Sequence, residues 1–310
     1  MTDKLEASGD LPLRIYGSYY WNDPEIDPIP MIEELVKENN TELVKARKIK
    51  VNIDGGDEHH TALFVDPYSD KPDVQVAPII PYDTLNETVK RADAKGLDVF
   101  CHCHGDLAVR KMLDAIELAI EENPERDRHN VISHAMLIHP EDYGRFKELG
   151  VVVDLQAHWG TLDPFLVNVT KVRLGEERLN RYIAIKTMMD NDATVSISSD
   201  WPATTYFAAV EPLTIIQMAV TRRLPGQPEM EQLGGAEAMV PLADALRAYT
   251  LDSAAGIGID NMVGSLEEGK LADLIVLDQN PFDVAPEDIS KINVLYTVMN
   301  GRLVHEARVE

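Results

Sequence analysis

Hydrophobic and polar positions follow two rhythms along this chain, short β-branched runs and longer stretches of helical spacing, and their alternation predicts a parallel α/β architecture. Leu11–Trp21, aromatic and β-branched, reads as a strand, and Met31–Lys48 as an amphipathic helix. Ile49–Asp54 is a predicted strand, and Tyr82–Ala94 a helix that stops near Gly96. Val99–His104 is a strand that runs straight into a helix from Asp106 to about Glu122. Val109, Met112, Leu113, Ile116 and Ile120 recur there at helical spacing, with Asp106 as the expected N-cap. The succession continues with strands at Val131–Met136, Val151–Gln156 and Thr194–Ser198, and with helices at Pro140–Leu149 and Glu176–Met189. Pro241–Ala255 reads as a further helix, ended by Gly256 and Gly258.

About six β/α repeats result, where a closed barrel has eight. Near Asp260 the character changes: Leu271–Asp278, Val294–Met299 and Arg302–His305 are strands without crossover helices. Asn300-Gly301 between the last two is a type I′ hairpin signal. The expected architecture is therefore a (β/α)8 TIM-type barrel represented by about its last six units, residues 1–259. A C-terminal part of a small β-sandwich, residues 260–310, follows it.

Several apolar strands end in a polar group. His102 closes Val99–His104 together with His104, His134 closes Val131-Ile-Ser-His, and Asp200 follows the Thr194–Ser198 strand. Lys50 sits in the fourth such segment, Ile49–Asp54. Polar residues at consecutive strand ends are how a β/α barrel assembles an active site. Imidazoles and a carboxylate gathered there point to metal-assisted hydrolysis. In that scheme Asp200 both binds metal and accepts a proton. Lys50, a poor ligand as an ammonium, becomes an anionic one if buried and converted by CO2 to a carbamate. Each residue also has a simpler role open to it: a hydrogen-bonded core histidine, a Lys50–Asp54 ion pair, or an Asp200 that caps the turn before Pro202. His59 and His60 read best as solvated loop residues. His158 and Trp201, with His104, are candidates for touching substrate.

Charge narrows the partners. Fifty-three acidic against 29 basic residues give a net charge of −24, which repels nucleic acid and anionic membranes. A small molecule is the expected substrate, and no stretch has the ~20 apolar residues of a membrane span. The only two cysteines, Cys101 and Cys103, stand two apart on one strand. That spacing disfavours a disulfide and turns both away from the histidines, toward packing against helices. Free thiols fit a reducing compartment, and Met1–Glu6 has no signal-peptide core. A cytoplasmic location is expected, with export left open if the native N-terminus is missing.

Lys50-Val-Asn-Ile-Asp-Gly55, His102-Cys-His-Gly-Asp106, Ser133-His-Ala135 and Ser199-Asp-Trp-Pro202 come in an order that resembles the amidohydrolase superfamily. Gly264-Ser-Leu-Glu-Glu-Gly-Lys-Leu-Ala-Asp-Leu-Ile-Val-Leu-Asp278 adds to the resemblance. The branch it is most similar to is the amidohydrolase 3 group, which includes N-substituted formamide deformylase-like enzymes. The resemblance implies one or two divalent metals, usually zinc, that activate a water to attack an amide- or formamide-type C–N bond. It implies Lys50 as a carboxylated bridging lysine, His102 and His134 as ligands of the second metal, and Asp200 as ligand and proton shuttle.

The pattern also departs from the family. Its members open with a His-x-His pair on the first barrel strand, and no histidine precedes Lys50 here. Leu107 stands where an arginine is usual. The expectation is a C-terminal fragment lacking two strands and half the sandwich, in which one metal on Lys50, His102 and His134 would keep an open position. Exposed sheet edges would invite self-association or a complementary N-terminal chain. A non-catalytic scaffold remnant and one half of a split enzyme are the alternatives.

Overall fold

Six short strands carry the first part of the chain in a computed structural model that describes residues 2–203 and 211–307. They are β1 (Ile15–Trp21), β2 (Val44–Asn52), β3 (Asp98–Cys103), β4 (Val131–His134), β5 (Val152–Leu155) and β6 (Val195–Ile197). Every neighbouring pair is parallel, and spatial order equals chain order from β1 to β6. No described strand joins β6 back to β1, so the sheet is an open arc of a barrel. All residues of β4, β5 and β6 are buried, as parallel strands covered on both faces require. A second sheet holds β7 (Leu274–Leu277), β8 (Val294–Met299) and β9 (Arg302–Glu306), all antiparallel. Asn300 and Gly301 both have positive φ, 50° and 73°, as the expected hairpin needs.

The helix Asp106–Glu122 has the predicted ends and buries Val109, Met112, Leu113 and Ile116. Its N-cap is Gly105, however, because the Asp106 carboxylate accepts instead from the Val65 N–H at 2.8 Å. The expected helix Met31–Lys48 is corrected most. A helix runs Pro28–Glu38, and the chain turns at Asn39–Thr41, where the Thr41 hydroxyl bonds both the N–H and the carbonyl of Val44. Val44, Ala46 and Lys48 then alternate inward as a strand, and buried Lys48 donates to the carbonyls of His129 and Gly256. The expected helix Glu176–Met189 is likewise two pieces, Glu176–Leu179 and Ile185–Asp190, interrupted at Ile183 with φ 52°. Buried Arg222 holds that interruption by donating to the Tyr182 and Ile183 carbonyls at 3.0 and 3.1 Å. No helix of the described residues is long and apolar enough to cross a membrane. Cys101 and Cys103 are free and buried, their sulfurs 3.4 Å apart.

Candidate metal centre

Strand register places the polar residues. Asn52, His102, Ser133, Asp154 and Ser196 face one another in a single row across β2 to β6. Two residues earlier in the strands, Lys50 lies opposite Phe100, with its amine 4.7 Å from the ring centre. Just past the row the strands open onto a cavity of about 970 Å³ lined by Lys50, His102, His104, His134, Asp200 and Trp159.

His134 reaches that cavity through its backbone. Ser133 faces inward in the row, so simple alternation would point its neighbour outward. A φ of 73° at His134, followed by 37° at Ala135, redirects the chain and lets the ring face the cavity. The His134 and His102 ring centres lie 4.5 Å apart. Burial, then the charges of His104 and Lys50, lowers the His102 pKa to about 3. Burial, then His102 and Lys50, drives His134 well below its ordinary value. Both rings are thus neutral near pH 7, as metal-binding imidazoles must be.

Burial also lowers the pKa of Lys50, against the opposing pull of Cys101, Cys103, Asp200 and Asp154. Asp54 does not pair with it. The Asp54 carboxylate accepts the main-chain N–H groups of His104, Gly105 and Leu63 at 2.8, 2.9 and 2.9 Å, pinning the segment after β3. Burial raises the Asp54 pKa to about 6 despite the His104 charge and those bonds. Gly105 is required there, because a Cβ would run into the Leu63 carbonyl. Asp200, at φ 53°, is half-buried, and burial raises its pKa against the charge of Lys50. The turn before Pro202 is bonded by the Ser199 hydroxyl, which leaves the Asp200 carboxylate to the cavity.

His104 also lines the cavity. Its Nε2 lies 2.7 Å from Asp57 Oδ1 and 3.4 Å from the Tyr182 hydroxyl. Burial alone would lower the His104 pKa, but the hydrogen bond and charge of Asp57 outweigh it and raise the value. His158 is 1% exposed, lies outside the cavity lining, and bonds through neither ring nitrogen. Trp201 is 65% exposed and also outside the lining, whereas Trp159 stands 5.7 Å from the His134 ring. His59 is solvated, but His60 is packed on Tyr68 and paired with Asp70 at 3.0 Å.

Asp57, Gln156, Asp154 and Tyr182 escaped the sequence reading, and Asp54 entered it only as an ion-pair partner for Lys50, whereas it binds main-chain N–H groups. Asp154 and Gln156 carried a signal: polar residues at alternate positions of an otherwise apolar buried strand. Asp57 and Tyr182 carried none, since their meeting depends on two loops.

Among the described residues no three His, Cys, Asp or Glu side chains converge to hold a cation by themselves. The donor set still fits a divalent ion of borderline softness: two neutral imidazoles, the partly buried Lys50 amine with its pKa lowered by desolvation and open to carbamate formation, and Asp200.

The Bacillus subtilis protein YtcJ is 30% identical over 305 residues, which are 98% of this chain and 54% of that protein. N-substituted formamide deformylase of Arthrobacter pascens is 25% identical, with 98% of this chain and 54% of that enzyme covered. The crystal structure of an uncharacterized metal-dependent hydrolase from Pyrococcus horikoshii superposes with a TM-score of 0.74 at 26% identity. That match covers 92% of this chain and 54% of the other. The chain thus spans about half the length of these relatives. A sequence profile of the amidohydrolase family matches residues 1–305, and with it the motifs, the parallel six-strand arc and the strand-end histidines place this chain in that family, in its amidohydrolase 3 branch.

Proposed function

We propose that this chain is part of a metal-dependent hydrolase that cleaves an amide- or formamide-type C–N bond in a small molecule. One observation carries the reading: two neutral imidazoles, His102 and His134, stand 4.5 Å apart beside desolvated Lys50 at the floor of a large open cavity. His102, His134 and Lys50 as a carbamate would hold a divalent ion, zinc being the best match to nitrogen donors. Such an ion, when bound, supplies Lewis acidity that lowers the pKa of water and polarises a substrate carbonyl. Asp200, its pKa raised by burial, is suited to take a proton at the rim and return it to a leaving nitrogen. The His104–Asp57 pair, also in the cavity lining, offers a polar surface for the substrate. The acidic surface suits a neutral or cationic substrate better than a polyanion.

The test is zinc titration of metal-stripped protein by calorimetry. Wild-type protein should bind zinc stoichiometrically, and His134→Ala should lose most of that affinity. Equal binding by both would overturn the reading.

The open arc favours a second element. β1 pairs only with β2 among the described residues, and Tyr20 on it is 50% exposed beside a second cavity that also reaches Lys50. Turnover would then need further β/α units against β1, supplied by a longer chain or a separate polypeptide. Adding such units, taken from the N-terminal part of a relative, should restore formamide hydrolysis. Absence of turnover in the zinc-loaded, completed barrel would favour a non-catalytic scaffold.

A further inference from the structure

Beneath His134 lies a buried polar cluster that the proposed chemistry does not use directly. Gln156, fully buried, sets its amide nitrogen 2.8 Å from Asp154 Oδ2 and 2.9 Å from the Ser198 hydroxyl. The same Asp154 carboxylate receives Ser133 Oγ at 2.8 Å and Ser198 Oγ at 3.0 Å on Oδ2, and Ser196 Oγ at 3.0 Å on Oδ1. Four donors, Ser133 on β4, Ser196 on β6, and Gln156 and Ser198 just past the ends of β5 and β6, thus converge on one carboxylate.

This arrangement removes the usual freedom of a glutamine to flip. Ser198 commits its proton to Asp154, so its oxygen is free only to accept, and Asp154 accepts as well. The Gln156 face turned toward them must be the donating NH2. Its opposite atom, Oε1, is then the one 2.9 Å from His134 Nδ1. An amide oxygen can only accept, so Nδ1 must carry the ring hydrogen. The lone pair of the neutral ring is left on Nε2.

We propose that Gln156 is a positioning residue: anchored by Asp154 and Ser198, it locks His134 in the Nδ1–H tautomer and presents a bare Nε2 to the cavity. The purpose of the lock rests on the metal reading above, since a hydrogen bond to the second ring nitrogen is what fixes an imidazole ligand's tautomer and orientation. The lock itself is a property of the metal-free protein and is testable there.

Long-range 1H–15N correlation spectra of the metal-free chain report which ring nitrogen is protonated, with His134 assigned by loss of its signals in His134→Asn. Wild-type protein should show protonated Nδ1 and unprotonated Nε2. Gln156→Ala, which removes the acceptor, should shift His134 toward the Nε2–H form that dominates in water. Gln156→Glu should keep the native tautomer, because a proton shared with Asp154 leaves the other carboxyl oxygen facing Nδ1. A wild-type His134 protonated on Nε2 would overturn the proposal even if Gln156→Ala fails to fold. So would an unchanged tautomer in a folded Gln156→Ala.

Zinc titration separates the lock from the reading it serves. Gln156→Ala should weaken zinc binding by about 10- to 100-fold, and Gln156→Glu should restore most of it. A native tautomer in a wild-type chain that binds no zinc would uphold the lock and overturn the metal reading.

Discussion

Nε2 of His104 stands 2.7 Å from Oδ1 of Asp57, and both side chains are almost wholly withdrawn from solvent. The Tyr182 hydroxyl closes the pair, 3.4 Å from each partner. Breaking a buried ion pair from one side strands the other charge, at a cost of about 3–5 kcal/mol. Asp57→Ala should therefore lower unfolding free energy by about that much in urea titrations. In a double-mutant cycle, Asp57→Asn and His104→Gln should show a coupling of about 1 kcal/mol or more. Independent, additive effects would mean that the two side chains do not share a proton-bound contact in solution.

Acid should destabilise this protein earlier than its carboxylates alone would. The His102 and His158 pKa values are lowered to about 3 and about 4, and burial and charged neighbours hold His134 well below its ordinary value. The unfolded chain takes up protons on these rings near the ordinary histidine value of about 6.5, and the folded chain does not. More protons on the unfolded state means that stability rises with pH across this window. It should thus be intact above about pH 6.5 and fall as pH drops toward 4, at about 1.4 kcal/mol per pH unit for each ring. His158→Phe should reduce the slope by one proton while leaving the cavity wall in place. A metal-free wild-type chain whose urea midpoint stays flat between pH 6.5 and 4.5 would show that these histidines are not buried neutral.

Lys50 should respond to dissolved CO2. Its amine sits over Phe100 with no carboxylate bonded to it among the described residues, and burial lowers its pKa. The neutral amine is the form that adds CO2. Zinc affinity of the stripped protein should rise with bicarbonate, and Lys50→Met should lose both the rise and about tenfold or more in affinity, equivalent to about 1.4 kcal/mol. A bicarbonate effect that survives in Lys50→Met would place the carbamate elsewhere.

The elements were legible because their causes are local. Apolar runs of four to six residues gave β3 to β6, helical spacing gave Tyr82–Ala94 and Asp106–Glu122 with both ends right, and Asn300-Gly301 gave the final hairpin. The errors fell where a non-local partner overrides local preference. Lys48 reads as helix surface until two main-chain carbonyls, 81 and 208 residues away, receive its buried amine. Ile183 sits inside a helical pattern until Arg222 captures its carbonyl.

By itself, then, the sequence determined the alternation of strands and helices, the family, and which residue types stand at the strand ends. Only the tertiary structure decided which of them meet. Register aligned His102 with Ser133 and Asp154, and a left-handed residue turned His134 against the alternation of its strand. Two loops 125 residues apart brought Tyr182 onto Asp57. Hydrophobic periodicity records which side of an element is buried. It holds no information on how far one strand slides along the next, nor on the backbone angle at which a strand ends, and those two quantities set the geometry of this site.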